Sequence, residues 1–397
     1  MSASHRLAPV WIIAGILLFA ACLRGPFTAV GPVLDVLQGA FGMGASAAGA
    51  LITLPLLTFC LVSPFAAGMA RGLGLERTLF LALALIAGGI VARSVGPVWS
   101  LYAGTALLGA GIAIGNTLLP SLLKRDFPDQ IPRLTALYAL TMGLASGLAS
   151  AVVVPLTEAF HWQASLGAFI ALPVAAALLW LPQLRRTTGP AAATPEPTEA
   201  VSLWRSGLAW QITVFFGMNS FLYYALVALL PSMLISRGFA PETAGALHGV
   251  MQVATAFPGL LLAPLVKRLK DQRGLAAGLA VLMSGSVLGL LAAPSLAALW
   301  VALFGLANGG TFILALAFVG LRTTSSGQTA RLSGMVQSLG YMLSAMGPLV
   351  AGALHDWTGG WTASLTTCLL LCLVLGGLGL AAGRDIRLDG SAATPGS

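Results

Sequence analysis

The amino-acid sequence predicts an all-α membrane protein with twelve transmembrane helices in two six-helix bundles. Hydrophobic residues make up 57% of the 397 residues and charged residues 8%, with a mean hydropathy of +0.92. Soluble domains carry about 25% charged residues, and the few charges of this chain could not cover a core of this size in water. Its apolar runs approach the length of about 20 residues that a spanning helix needs. The sequence lacks the alternating ten-residue strands that would indicate an outer-membrane barrel.

The pattern of the first half of the chain returns in the second half. Residues 48–51 read Ala-Gly-Ala-Leu and recur as residues 244–247, while Arg-Leu-Thr at 133–135 returns as Arg-Leu-Ser at 331–333. The matches lie about 196 to 198 residues apart, close to half of the chain. This duplication predicts two bundles related by a pseudo-two-fold axis.

Twelve apolar segments follow one another along the chain, six in each half. Each is long enough to cross the bilayer as a helix. Their approximate bounds are 9–34, 46–69, 77–95, 98–122, 134–157, 163–182, 208–234, 242–265, 274–292, 297–320, 332–353 and 361–382.

Glycine and proline predict how some of these helices pack. Small residues let membrane helices approach closely, and prolines are tolerated there as kinks. The fourth segment, with Gly104, Gly109, Gly111 and Gly115, is expected to pack tightly against its neighbours. The first two segments are expected to be broken by Pro26, Pro32, Pro55 and Pro64.

Composition sets the expected domain boundaries. Residues 1–183 form the first bundle and residues 207–384 the second. Between them, residues 184–206 are rich in proline, threonine and alanine, which predicts a flexible cytoplasmic linker. Residues 385–397 are polar and are expected to form a disordered cytoplasmic tail.

Basic residues predict the orientation in the membrane. With twelve spans, 17 of the 20 basic residues lie on the side that carries both termini, whereas Arg93 and Arg237 lie on the other side. The positive-inside rule then places both termini in the cytoplasm and the chain in the inner membrane. The net charge of +8 is therefore explained by contact with the lipid bilayer, and no nucleic-acid partner is expected.

The sequence does not support an enzyme. It contains no HExxH, CxxC, Walker loop or plausible Ser-His-Asp set, and no Asp or Glu lies deep in a span. We expect no cofactor and no metal, and we interpret the four cysteines as buried free thiols. The first apolar run continues well past Cys22, so we interpret it as a retained span rather than a signal peptide.

Arg24 is the leading candidate for ligand binding. It lies roughly 22 Å along the first span at about 1.5 Å per residue, near the bilayer midplane. A charge at this depth costs at least about 2.5–3.5 kcal/mol and should face the bundle interior. The functional interpretation is a site for an anion or a polar ligand. The alternative is an arginine that snorkels outward or binds helix carbonyls.

Polar residues in the second half form a second candidate set. Tyr223 and Tyr224 stand where the repeat matches Arg24, with Asn219 one turn earlier, and His248 and Gln252 share a helix face at a spacing of four residues. A buried His could carry a proton. Bundle packing is the alternative in each case. The same alternatives hold for Asn116, Tyr138, Asn308, Gln337 and Tyr341.

Several motifs resemble those of one family. They include Leu23-Arg24, Thr53-Leu54-Pro55, Gly115-Asn116-Thr117-Leu118-Leu119-Pro120 followed by Lys124-Arg125-Asp126-Phe127-Pro128, and Leu247-His248-Gly249. The chain resembles the major facilitator superfamily, and within it the cyanate and 2-nitroimidazole transporter family, nearer to the nitroimidazole branch. The resemblance implies twelve helices and transport of a small polar or anionic molecule.

The cytoplasmic loops depart from the superfamily pattern. After span two, Arg71 stands where the superfamily has an Asp, whereas the loop after span eight keeps Asp271-Gln272-Arg273-Gly274. The candidate gating residues of these loops are Arg71, Glu76, Arg77, Lys124, Arg125, Asp126, Asp271 and Arg273.

These observations predict a monomeric secondary transporter that works by alternating access. Its cargo would be a cyanate-, carboxylate- or nitroimidazole-like small molecule, and protons are a candidate second partner through His248. A multidrug-type efflux transporter is the alternative, and a membrane sensor or channel is less favoured because polar residues are few and no soluble domain is present.

Overall fold

The computed structural model describes residues 3–127, 130–185, 203–259, 262, 269, 271–323 and 326–388. Within these ranges the regular structure is entirely helical. The prolines and threonines of the predicted linker between residues 186 and 202, and the tail from residue 389, lie outside the described residues.

Thirteen α-helices lie within the described ranges. In chain order they are α1 Ala3–Thr28, α2 Leu34–Phe41, α3 Ala45–Leu73, α4 Leu75–Arg93, α5 Val98–Asp126, α6 Ile131–Ala168, α7 Ala171–Trp180, α8 Gly207–Ile235, α9 Pro241–Ala254, α10 Arg273–Ala292, α11 Ala297–Leu321, α12 Ser326–Thr358 and α13 Thr362–Ala382.

The helices follow the predicted segments closely. The first segment forms α1 and α2, joined by a 3-10 turn at Gly31–Val33 that contains Pro32. The fifth and sixth segments are joined within α6, where His161 leaves the helical region with φ 65° and ψ 160°. The prediction that prolines break the second segment is wrong, because α3 continues through Pro55 and Pro64.

Nine helical stretches among the described residues have the length and hydropathy of membrane spans. One of them, Arg133–Leu184, has 52 residues and contains the break at His161, so it is long enough for two crossings. Two predicted spans are not among the nine. The eighth begins as α9 but continues outside the described residues, and the eleventh, in α12, is a long helix with a more polar sequence.

The chain folds into two compact units. Unit 1 comprises residues 1–43, 50–192 and 230–249, and unit 2 comprises residues 44–49, 193–229 and 250–397. Each unit is therefore mostly one half of the chain. The end of α8 and the start of α9 belong to unit 1, and the first residues of α3 belong to unit 2.

Unit 1 is held together by close helix crossings. Gly89 on α4 packs against the backbone of α5, where a Cβ atom would lie 2.5 Å from the Leu108 nitrogen, and Gly104 packs equally closely on Arg93. The other predicted glycines of α5 also lie where a Cβ would come within 2.7 Å of a neighbour. The predicted tight packing of the fourth segment is thus confirmed.

Unit 2 packs α10 between α11 and α13. Gly289 of α10 lies against the indole of Trp300, where a Cβ atom would come within 2.2 Å of the ring. Gly340 of α12 similarly accommodates the ring of Phe216, so small residues again permit the closest crossings.

The start of α3 is capped by a residue distant in sequence. Asp356 near the end of α12 accepts hydrogen bonds from the backbone nitrogens of Ala45 at 3.0 Å and Ser46 at 2.9 Å. Gly44 precedes the helix and offers no side chain for this role. The Asp356 carboxylate therefore satisfies two of the free N–H groups at a helix N-terminus, where negative charge is favoured.

Candidate functional site

Arg24 lies on α1, four residues before its end, and its side chain is half-buried. Tyr138 on α6 lies within electrostatic range of the Arg24 guanidinium. The Tyr138 hydroxyl donates a 3.1 Å hydrogen bond to the Oδ1 atom of Asn116 on α5. This hydrogen-bonded pair and the arginine, which come from three helices of unit 1, are here called the Arg24 cluster.

A buried chain of hydrogen bonds begins in the same turn of α1. The Thr28 hydroxyl donates to the backbone carbonyl of Arg24 at 3.0 Å, and the Ser146 hydroxyl donates to Thr28 Oγ1 at 3.0 Å. The Ser150 hydroxyl donates to the Ser146 carbonyl at 2.9 Å, and its oxygen lies 2.9 Å from His248 Nδ1. This chain connects α9 to the Arg24 turn of α1 within unit 1.

The bond between Ser150 and His248 can form with either tautomer of His248. When the Ser150 hydroxyl donates its single proton to the Ser146 carbonyl, the Ser150 oxygen accepts from a protonated His248 Nδ1. When Nδ1 carries no hydrogen, the Ser150 hydroxyl donates to it instead. Both side chains are fully buried, with no exposed surface.

Two glycines bring His248 to this position. A Cβ atom on Gly249 would lie 2.7 Å from the Gly147 carbonyl, and one on Gly245 would lie 3.0 Å from the Ser150 carbonyl. The two glycines are four residues apart, so α9 presents a smooth stripe to α6. This close approach lets His248 Nδ1 lie 2.9 Å from the Ser150 oxygen.

Unit 2 contains a second polar pair from the predicted set. The Tyr223 hydroxyl on α8 donates a 2.6 Å hydrogen bond to Oε1 of Gln252 on α9. Both are buried, with 8% and 1% of their surface exposed. The Nε2 atom of Gln252 finds no hydrogen-bond partner among the described residues, so two buried N–H groups remain available to a ligand.

Neighbouring predicted residues in unit 2 support this pair. The ring of Tyr224 meets that of Tyr223 edge-on, with centroids 5.0 Å apart. One turn earlier on α8, Asn219 accepts from Asn308 Nδ2 on α11 through both its backbone and side-chain oxygens, each at 3.0 Å. The asparagine pair is buried and ties α11 to α8.

Two predicted residues of α12 make other contacts. Gln337 is exposed and donates to Ser333 on its own helix at 2.9 Å. Tyr341 is half-buried and packs edge-on against Phe216 with centroids 5.5 Å apart.

The candidate gating residues form an ion-pair network at the end of α5. Arg125 binds Glu76 at 2.8 Å and Asp126 at 2.6 Å, and Glu76 is buried. The hydrogen bond to Asp126, with a further contribution from Glu76, raises the pKa of Arg125 above its ordinary value. In unit 2, the buried Gln272 accepts a 2.5 Å hydrogen bond from the Arg322 guanidinium.

The other candidate gating residues lie nearer the surface. Asp271 and Arg273 form an exposed ion pair at 2.6 Å, and the hydrogen bond from Arg273 lowers the pKa of Asp271. Arg71 and Arg77 are exposed, and the side chain of Lys124 lies outside the described part of the chain.

Sequence reasoning missed the hydroxyl residues that join His248 to α1. Thr28 lies one turn after Arg24, and Ser146 and Ser150 are one turn apart on α6. Because Ser146 and Ser150 are four residues apart, they lie on one face of α6, and this spacing could have identified them from the sequence.

Comparison with known proteins identifies the family. The sequence model of the Major Facilitator Superfamily matches residues 16–345, which is well over half of the chain. The chain belongs to the major facilitator superfamily. It is 47% identical over 386 residues to the 2-nitroimidazole transporter of Escherichia coli K12, covering 97% of this chain and 98% of that protein. It is 30% identical to the cyanate transport protein CynX of the same organism, covering 85% and 88%.

These similarities confirm the predicted family and show a membrane-embedded transporter family rather than an enzyme family. A crystal structure of a bacterial homolog of the human lysosomal transporter Spinster, in an inward-facing unoccupied conformation, matches the chain with a TM-score of 0.73. The match covers 96% of this chain and 98% of that one at 14% identity. This structural similarity supports the twelve-helix major facilitator architecture predicted from the sequence.

Proposed function

We propose that this superfamily member is a secondary transporter of a small, electron-rich organic solute, with nitroimidazole-, cyanate- or carboxylate-like chemistry. The observation that carries the proposal is the Arg24 cluster, in which a phenol and an amide are hydrogen-bonded to each other within electrostatic range of a guanidinium. A charged side chain in a membrane span is energetically costly, and binding of a cargo would explain why this chain has one.

In this proposal, Arg24 binds the negative or electron-rich end of the cargo. A guanidinium presents paired N–H donors that match the two oxygens of a nitro or carboxylate group. Tyr138 and Asn116 hold one another through the 3.1 Å bond and limit how the cargo can turn. The 47% identity to a protein named as a 2-nitroimidazole transporter favours a nitro-substituted ring as the first cargo to test.

We further assign the buried amide of Gln252 to cargo binding. Its Oε1 is occupied by Tyr223, which orients the amide and leaves the N–H groups of Nε2 for an acceptor on the cargo. Tyr224 and the Asn219–Asn308 pair serve as supports that fix the position of α8. Tyr341 and Gln337 are kept as outer candidates on α12.

Proton coupling through His248 is part of the same proposal. A histidine is the side chain whose ordinary pKa lies near neutral pH, and gaining a second proton would place a charge beside Ser150. That charge would alter the contact between α9 and α6. A local change of this kind can shift the equilibrium between two conformations of a protein.

We also propose the orientation and mechanism inferred from the sequence. The protein would lie in the inner membrane as a monomer, with both termini in the cytoplasm and a linker at residues 184–206 joining bundles 1–183 and 207–384. Transport would proceed by alternating access. The Glu76–Arg125–Asp126 network and the Asp271–Arg273 pair would contribute to gating at the cytoplasmic loops.

The test is counterflow with the purified full chain in liposomes. Liposomes loaded with unlabelled 2-nitroimidazole should accumulate external labelled 2-nitroimidazole transiently, and cyanate and benzoate in turn should reveal the preferred class. Empty liposomes and liposomes with heat-denatured protein are the controls. Absence of counterflow with all three solutes would reject the proposed cargo class.

The alternative cargo class is that of a multidrug-type efflux transporter. Bulky cationic dyes would be its typical substrates, and Arg24 would repel them. Faster counterflow with a cationic dye than with 2-nitroimidazole would favour that alternative.

A further inference from the structure

A groove with a volume of about 340 Å³ lies in unit 2 at the start of α12. Its walls come from α12 and from the short 3-10 turn Leu203–Arg205 that precedes α8. It is lined by Leu203, Trp204, Arg331, Gly334, Met335, Ser338 and Leu339. None of them belongs to the proposed transport site.

Along α12 the groove begins at a charged residue and continues past mostly apolar ones, with the exposed Ser338 among them. Arg331 stands near the start of the helix and is exposed, whereas Met335 one turn deeper is only 9% exposed. From Arg331 to Leu339 the helix rises about 12 Å at about 1.5 Å per residue. Leu203 is buried at the opposite wall. The charged end of the groove therefore suits a phospholipid headgroup, and the apolar residues deeper in the groove suit an acyl chain.

The charged end of the groove has the features of a membrane interface. Arg331 makes no ion pair with any residue that the structure describes. Trp204 is 65% exposed, and its carbonyl accepts a 3.0 Å hydrogen bond from the Trp210 indole. Exposed tryptophans with a basic residue nearby are typical of the headgroup level of a bilayer. Arg205 adds a second positive charge beside the groove.

The groove is open beside Gly334. A Cβ atom added at Gly334 would meet no atom within 4 Å, so the space beside the helix there is empty. An acyl chain could lie along this strip of helix surface without displacing any side chain.

We propose that this groove binds one anionic glycerophospholipid. The phosphate would accept hydrogen bonds from the Arg331 guanidinium, which can bind phosphate through two parallel N–H groups. One acyl chain would lie over Gly334 and against Met335 and Leu339. Trp204 would cover the glycerol region. The lipid would thus join the turn before α8 to the start of α12.

Native mass spectrometry of the purified full chain tests this proposal with phosphatidylglycerol, phosphatidylcholine and inorganic phosphate as separate probes. The wild-type protein should retain one phosphatidylglycerol about fivefold more tightly than phosphatidylcholine, in line with one basic contact. Arg331→Gln should remove that preference, and Arg331→Lys should restore part of it. Gly334→Leu should weaken both lipids, because its side chain occupies the acyl strip.

Two matched variants serve as controls. Arg384→Gln removes another exposed arginine, and Gly278→Leu fills another glycine position that has open space, on α10. Both should bind phosphatidylglycerol as the wild type does. Thermal melts of all variants check folding. Equal retention of the two lipids by the wild type, unchanged binding in Arg331→Gln, or full displacement of the lipid by inorganic phosphate would each overturn the proposal.

Discussion

The Tyr223 hydroxyl donates a 2.6 Å hydrogen bond to Oε1 of Gln252. The Nε2 atom of the same amide has no hydrogen-bond partner among the described residues. A buried donor without a partner has a cost of about 1–3 kcal/mol. Proteins retain such a cost where a ligand removes it. The pair is therefore the element of unit 2 that we expect to recognise a cargo.

Replacing Tyr223 by Phe should weaken cargo binding without unfolding the protein. The variant leaves Gln252 Oε1 without its donor, so the amide is no longer held in one orientation. We expect binding of the transported solute to weaken by about tenfold, which corresponds to about 1.4 kcal/mol. Isothermal titration with purified protein measures this. Tyr102→Phe, which removes a hydroxyl directed at Met43, is the matched control and should bind normally.

Replacing His248 by Asn should abolish proton coupling while the protein still folds. The asparagine amide can still donate to Ser150 but does not titrate near neutral pH. We expect the variant to fold and bind the cargo, while its uptake no longer responds to a pH gradient imposed across the liposome membrane. If uptake by the His248→Asn variant follows the gradient as that of the wild type does, His248 has no part in the coupling.

The Asp356 cap should make stability depend on pH in the acidic range. Burial acts to raise the pKa of Asp356, but hydrogen bonds from the N–H groups of Ser46 and Ala45 outweigh it, and the net pKa is lowered. The stabilisation is therefore fully present above the ordinary Asp pKa of about 3.9 and is lost as the pH falls through the lower folded value.

Asp356→Asn should be less stable than the wild type at neutral pH, by up to about 1 kcal/mol. The difference should shrink toward pH 3. Melting temperatures measured from pH 3 to pH 8 provide the comparison, with the exposed Glu158→Gln as the control for removal of one surface charge. A constant difference over that whole range would mean that the Asp356 carboxylate does not cap α3.

Substitution by alanine should destabilise the protein at one of two adjacent glycines of α4 and have little effect at the other. Gly89→Ala places a methyl group 2.5 Å from the Leu108 nitrogen, so α4 and α5 must separate. Gly88→Ala makes only an ordinary contact, 3.7 Å from Leu107. We expect Gly89→Ala to destabilise by about 1–3 kcal/mol, as overpacking does, and Gly88→Ala to change little. Equal melting temperatures of the two variants would contradict the packing described here.

The sequence predicted much of the fold because membrane spans have a strong signal. Long apolar runs and the asymmetry of basic loops located the helices within a few residues, and the glycines of α5 predicted its tight packing. The effect of proline was misjudged at α3. Membrane helices accommodate prolines such as Pro55 and Pro64, since neighbouring helices and side chains compensate for the lost backbone bonds.

The candidate site was predicted less completely because its contacts join residues far apart in sequence. Arg24, Tyr138 and Asn116 were each singled out as polar residues in apolar spans, but nothing in their spacing paired them. Ser150 was not considered at all, although it is the partner of His248. The Arg125–Glu76 pair likewise required the structure, since the two residues lie far apart in sequence.

Uptake by Arg24 variants tests the central claim most directly. Labelled 2-nitroimidazole uptake is measured in liposomes that contain equal amounts of wild type, Arg24→Gln, Arg24→Lys or the control Arg384→Gln. Loss of a charge-assisted hydrogen bond is worth about 1.5–3 kcal/mol, so Arg24→Gln should lower uptake efficiency by about tenfold or more. Arg24→Lys should be intermediate and Arg384→Gln normal. Wild-type uptake by a folded Arg24→Gln protein would contradict the account.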